Sequence, residues 1–215
     1  MVTKLLLGHD RFRREFFHHE RELFQSFADG VHAPQALWIG CCDARVVPTV
    51  ILSAEPGELF ILRNIANLVP QFGEGHHRSV GAAIEFAVHA LKVPHIIICG
   101  HTQCGGLKAL LEGPDKLADA MPTLAMWLKD AEELRKRLAQ LWLDHPADKI
   151  AHQLVYENVA VQLENLITYP TVARALDQGA LQLHGWVYDI ADGSLRAYNP
   201  DTNEFTRLQS PLPSE

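Results

Sequence analysis

The sequence predicts an α/β fold built on a mainly parallel sheet. The expectation rests on short apolar runs of strand length, helical periodicity between them, and Pro or Gly at many of the joins. Asp10 to Phe27 reads as a helix capped by Asp10, with Phe12, Phe16, Phe17, Leu23, Phe24 and Phe27 on its apolar face. So many phenylalanines on one helix call for a large packing surface, either the domain's own core or a neighbouring subunit. Ala36 to Gly40 is a buried strand entered after Pro34. Leu59 to Leu62 is a second, entered through Glu55-Pro56-Gly57. Ser79 to Leu91 has helical spacing through Val80, Ala83, Ile84, Phe86, Ala87 and Leu91, and ends before Pro94. His95 to Cys99 is a third strand and Leu181 to Tyr188 a fourth. The turn Asp189–Gly193 then sends Leu195–Tyr198 back as a hairpin at the sheet edge. Pro122 to Gln178 is helical, broken at Pro146 and Pro170. No linker divides residues 1–209, and the Pro/Ser-rich 210–215 reads as a loose tail.

The chain has 215 residues, 47% apolar and 21% charged, with Lys plus Arg 19 against Asp plus Glu 26. This is the balance of a globular domain, not of a disordered or fibrous chain. A net charge of −7 argues against a nucleic-acid binder. With 4 cysteines a disulfide scaffold is not expected, and 12 histidines favour metal or proton chemistry. The apolar runs have strand length rather than membrane-spanning length, and the start Met-Val-Thr-Lys-Leu-Leu-Leu lacks the pattern of a secretory leader. The expectation is a cytoplasmic protein with reduced thiols that binds neither membrane nor nucleic acid.

Two clusters carry chemistry. Cys41-Cys42-Asp43-Ala44-Arg45 follows the first strand, and Gly100-His101-Thr102-Gln103-Cys104-Gly105-Gly106 follows the third. In open α/β sheets ligands bind beyond the carboxyl ends of strands, and both clusters stand there. A Cys₂His set suits zinc and leaves one tetrahedral position open, the mark of a catalytic site where water becomes a nucleophile near neutral pH. Adjacent residues of an extended chain face opposite sides, so Cys41 with Asp43 is the consistent pair and Cys42 packs into the sheet or a helix. Cys99 reads as a core thiol. Asp43 and Arg45 share a face, and Arg45 can hold the carboxylate bidentately, orienting a zinc-bound hydroxide. Released, Asp43 can bind zinc itself and close the site. Alone, Asp-x-Arg is a surface ion pair. Gly105 and Gly106 permit close backbone approach and offer an N–H to a small anion. Gly73-Glu74-Gly75-His76-His77 lacks the rest of a phosphate loop, and no dinucleotide fingerprint, Cys-x-x-Cys or nucleophile elbow is present.

Cys-x-Asp-x-Arg after one strand, then His-x-x-Cys-Gly-Gly after a later one, resembles the β-class carbonic anhydrases. Glu55–Phe60, Arg63–Asn67, Gly81–Val88 and His184–Tyr188 extend the resemblance over about residues 10–205. It implies four parallel strands with an antiparallel edge strand, flanked by helices, and an N-terminal helical arm over 1–30 that packs on a partner subunit. It implies zinc on Cys41, His101 and Cys104, with Asp43 and Arg45 as the catalytic dyad. Gly105 offers its N–H to substrate, and Phe60, Ile65 and Phe86 line a cleft for carbon dioxide. A homodimer or homotetramer is expected, with the active site at the dimer interface. The activity implied is reversible hydration of carbon dioxide to bicarbonate and a proton, rising on the alkaline side of neutrality because two thiolates feed charge to the metal. Where many members carry Gln nine residues before the first ligand, this chain has His32, a substrate contact, a proton shuttle or a plain loop histidine. Trp38, Arg63 and Tyr188 stand where some members bind a regulatory bicarbonate. Val46-Val47-Pro48-Thr49-Val50 departs from those members and favours an open site with Asp43 on Arg45. The rivals are a non-catalytic zinc module, against which the dyad argues, and a zinc hydrolase of carbon disulfide or carbonyl sulfide.

Overall fold

Ala36–Cys41 (β1) and His95–His101 (β3) form the middle of the sheet, and every residue of them except His95 is buried. Continuous apolar runs of this kind are what parallel strands covered on both faces require. Leu59–Asn64 (β2), Gln182–Tyr188 (β4), Leu195–Asn199 (β5) and Glu204–Arg207 (β6) complete the order β2-β1-β3-β4-β5-β6. The first four strands run parallel, and β5 and β6 are antiparallel. The computed structural model describes residues 2–30, 32–73, 78–141 and 146–209. It divides into two units, Met1–Ala33 and Pro34–Glu215.

In the second unit alternate residues serve different layers. Leu37, Ile39, Ile96 and Ile98 join the main core, while Ala36, Trp38, Ile97 and Cys99 form a second cluster with Trp186 and Tyr188. The main core is closed by the helix Ala147–Ile167, which buries Leu154, Val155, Asn158, Val159, Gln162 and Leu166 at helical spacing. A Cβ on Gly100 would stand 2.8 Å from Val159 Cγ2, so glycine there lets the helix lie close on the sheet. β1 and β3 are neighbours with Gly40 opposite Cys99, which brings both sequence clusters to one end of the sheet.

The structure departs from the sequence expectations at four places. The edge is β6 rather than the 195–198 strand, because Phe205 stacks on Tyr198 at 5.1 Å and pairs a second hairpin onto the first. The predicted 79–91 helix is α-helical over Arg78–Glu85 and then widens into a π turn over Phe86–Ala90, closed by Leu91 N–H to Phe86 O at 3.0 Å. The 122–178 region breaks at Pro146 and Pro170 as expected, and also between the helices Pro122–Lys129 and Glu132–Leu141. In the first unit helix begins at Val2, not Asp10. Asp10 lies inside Val2–Arg14 and pairs with Arg14 one turn on, so it is no cap. Phe16–His19 and Arg21–Ala28 follow, and Phe12, Phe16, Phe17, Phe24 and Phe27 stack in a chain of ring contacts. The expected tail at 210–215 and residues 74–77 of the glycine-rich stretch lie outside the described residues.

Candidate metal centre

Cys41 is the last residue of β1, His101 the last of β3, and Cys104 caps the helix Gly105–Glu112. Their ligand atoms all lie within 4.8 Å of one another, and the two sulfurs are 3.8 Å apart. All three residues are buried. His101 Nδ1 donates to Thr102 O at 2.9 Å, because a carbonyl can only accept. The lone pair therefore lies on Nε2, which is buried with no hydrogen-bond partner. A buried, unpartnered imidazole nitrogen facing two thiols fits zinc with one position left open.

The surroundings favour one thiolate, on Cys41. A hydrogen bond from Cys104 lowers Cys41, helped by the backbone at Asp43 and Ala66. Cys104 is raised by its bond to Cys41 and by burial, while backbone N–H groups of Gly106 and Leu107 act the other way. The pair thus gives up one proton readily and holds the second until a cation is present.

Asp43 Oδ2 is 4.0 Å from His101 Nε2, beside the donor set. Arg45 grips it through Nε to Oδ1 (2.9 Å) and Nη2 to Oδ2 (2.7 Å). These bonds hold the Asp43 carboxyl well below the usual carboxylate range. The geometry is not the extended face-sharing expected from the spacing. Arg45 N–H bonds Asp43 Oδ1 at 3.0 Å and Val46 N–H bonds Asp43 O at 3.0 Å, so the stretch is an Asx turn that folds Arg45 back over Asp43.

Three supports were not visible as such in the sequence. Gln103, left-handed at φ 57, accepts from Arg45 Nη2 at its carbonyl (3.2 Å) and from Nη1 at its side chain (3.4 Å). Arg63 donates to the carbonyls of Cys41, Asp43 and Val46 at 2.7–2.8 Å, clamping the dyad turn to β2. Residues 65–69 are held by side chains: Trp127 on Ile65 O, Asn158 on Ala66 O, and Gln162 and Asn165 on the two sides of Val69. The stripe Asn158, Gln162, Asn165 recurs at helical spacing among apolar neighbours, a signal that was there to be read.

The other sequence candidates are placed as follows. Cys99 is fully buried in the second cluster. Cys42 is exposed, contrary to expectation: it lies one residue past β1, and although its N–H still bonds Asn64 O (2.9 Å), the layers that cover β1 do not reach it. Gly105 is exposed with open space where a Cβ would stand, whereas a Cβ on Gly106 would meet Ile65 Cγ2 at 2.6 Å. Phe60 contacts Phe86 at 5.9 Å, and Ile65 lies against Gly106. His32 belongs to the first unit. Trp38 is buried with Nε1 unpartnered, and Tyr188 is half-buried against the same second cluster.

Comparison with known proteins gives one consistent result. A family model described as carbonic anhydrase matches residues 36–195. A carbonic anhydrase of Synechococcus elongatus is 40% identical over 207 residues, 96% of this chain and 75% of the relative. The solved β-carbonic anhydrase CcaA superposes with a TM-score of 0.92 at 36% identity, covering 96% of this chain and 99% of that one. A tetrameric β-carbonic anhydrase from Sordaria macrospora superposes with a TM-score of 0.81 at 30% identity, covering 91% and 95%. No helix among the described residues is long and apolar enough to cross a membrane.

Proposed function

The chain belongs to the β-class carbonic anhydrases, and from that premise we propose that it hydrates carbon dioxide reversibly to bicarbonate and a proton at zinc held by Cys41, His101 and Cys104. The observation that carries this is the convergence of two thiols and one unpartnered imidazole nitrogen within 4.8 Å, with the Asp43–Arg45 pair beside them. When bound, zinc supplies a Lewis acid that makes water nucleophilic near neutral pH.

The chain's own residues do the rest. Arg45 keeps Asp43 ionised, so Asp43 accepts a hydrogen bond rather than donating one. Oδ1 takes two bonds from Arg45 and Oδ2 one, which leaves acceptor capacity on Oδ2, the oxygen nearest His101 Nε2. There it orients a water whose free lone pair can attack the carbon of carbon dioxide. The backbone N–H of Gly105 receives the developing anion. Phe60, Ile65 and Phe86 exclude water from the gas, and the released proton passes to buffer.

The bond pattern favours the open site. Arg63 directs Nε and Nη2 to main-chain carbonyls, so those donors are occupied. One observation favours a regulatory bicarbonate at Trp38, Arg63 and Tyr188 instead, the buried, unpartnered Trp38 Nε1.

The active form is a homo-oligomer. Leu5, Leu6 and Leu7 of the arm are 63–73% exposed, and Phe12, Phe16 and Phe17 are 37–43% exposed, a surface suited to a second copy. The tetrameric Sordaria relative supports this reading. Metal ligation by Cys41 and Cys104 needs reduced thiols, which suits the cytoplasm.

Stopped-flow hydration of carbon dioxide, on protein of measured zinc content, tests the reading. Fast turnover with about one zinc per chain supports it. Zinc-replete protein without turnover overturns it and leaves a non-catalytic zinc module.

A further inference from the structure

His101 reaches no side chain through Nδ1. Its partner is the carbonyl of its own neighbour, Thr102, at 2.9 Å. Such a bond orients the imidazole only as firmly as that peptide is itself held. The Thr102 peptide is held from the turn after β4. Thr102 N–H bonds Tyr188 O at 3.0 Å, Ile190 N–H bonds Thr102 Oγ1 at 3.0 Å, and Thr102 Oγ1 donates to Asp189 Oδ1 at 3.3 Å. Asp189 is fixed in turn, since Oδ1 also accepts Ala191 N–H at 2.8 Å. On the other side Gln103 adopts φ 57, a left-handed turn that a non-glycine residue takes only when its surroundings enforce it. Thr102 is 7% exposed and His101 fully buried, so water does not compete for these bonds.

We propose that Thr102 and Asp189 are positioning residues for the metal ligand His101. The Thr102 hydroxyl, anchored on the 189–193 turn, fixes the carbonyl that sets the tautomer and rotation of the imidazole, and so aims Nε2 at the metal. Ligating histidines in general depend on the partner of their second nitrogen, and loss of that partner typically weakens metal affinity about 10–100-fold. Here the partner is a main-chain carbonyl, so the dependence passes to the side chain that immobilises it. The hairpin turn between β4 and β5 thereby bears on metal retention although it contributes no ligand.

The proposal rests on His101 being a metal ligand, and the experiment separates the two. Zinc release from the intact holoenzyme to a chromogenic chelator is timed, and the visible bands of the cobalt-substituted protein are recorded. Thr102→Val is nearly isosteric, and its added methyl takes the place of Oγ1, beside Ile190 N and Asp189 Oδ1. Thr102→Val should release zinc about 10–100-fold faster and shift the cobalt bands. Thr102→Ser, which keeps the hydroxyl, should restore release to within about threefold. Asp189→Ala should accelerate release, and adding it to Thr102→Val should add little, because both act through one hydroxyl. Unchanged release in Thr102→Val, equal loss in Thr102→Ser, or faster release with unchanged cobalt bands would overturn the proposal. If Thr102→Val does not fold, Asp189→Ala decides alone, and wild-type release from it overturns the proposal. A wild-type protein that retains no zinc refutes the site reading itself.

Discussion

Two adjacent glycines should respond to alanine in opposite ways. A Cβ on Gly106 would stand 2.6 Å from Ile65 Cγ2, 3.1 Å from Ala66 Cβ and 3.2 Å from Ala66 N. Ordinary carbon contacts lie near 3.5–4.0 Å, so the shortfall is roughly 1 Å against Ile65 and about half that against Ala66. Ile65 is 39% exposed and its side chain can swing away. Ala66 cannot follow, because Trp127 holds Ile65 O at 2.8 Å and Asn158 holds Ala66 O at 3.0 Å. Overpacking of this kind costs about 1–3 kcal/mol, against which alanine in a helix returns up to about 1 kcal/mol. Gly106→Ala should therefore lose about 1–2 kcal/mol and lower the thermal midpoint by roughly 2–8 °C in a chain of this size. It should also loosen zinc, since the crowded Ala66 backbone bonds the Cys41 sulfur. Gly105→Ala has nothing within 4 Å, keeps the N–H, and should be neutral or slightly stabilising. Denaturant unfolding of the zinc-loaded proteins, with zinc release alongside, is the assay. A Gly106→Ala protein as stable as wild type, or a Gly105→Ala protein that is the weaker of the two, would refute the packing argument.

The cysteines and the dyad give further expectations. Cys41→Ser and Cys104→Ser should each leave the purified protein with far less zinc than wild type, while exposed Cys42→Ser should retain it; metal analysis of the three checks this. Arg45→Gln removes the main cause of the lowered Asp43 pKa. A carboxylate lowered in the folded state stabilises above its unfolded pKa, about 3.9, and loses that contribution as pH falls through the folded value. The stability gap between wild type and Arg45→Gln should thus be constant from pH 5 to 8 and close only below about pH 4. A gap that closes near neutrality in pH-dependent unfolding would contradict the pairing.

The centre was legible because its chemistry is local. Cys41, His101 and Cys104 are recognisable from ligand type and from their place just beyond two apolar strands, and the structure brings the three together. The Asp43–Arg45 contact was also foreseen, but for the wrong backbone reason: a turn, not an extended strand, brings the two together. Cys42 was misjudged because alternation describes direction and says nothing of where the covering layer stops. The clamps on Ala66 and Val69 come from a helix more than 90 residues away in sequence, so no local pattern names their partners. The arm helix began earlier than Asp10 because an Asp near Phe12 reads as a cap until its i+4 partner Arg14 is considered. Strand β6 was missed because Glu204–Arg207 is short and mostly exposed, and it is stabilised by pairing rather than by its own apolarity.

The most direct test compares wild type with Asp43→Ala, zinc content measured on both, in stopped-flow hydration of carbon dioxide. The account predicts equal zinc and a loss of turnover of about 10²–10⁴-fold, the range for removing a positioned acid–base group. An Asp43→Ala protein that keeps wild-type turnover, or that loses activity only in step with its zinc, would contradict it.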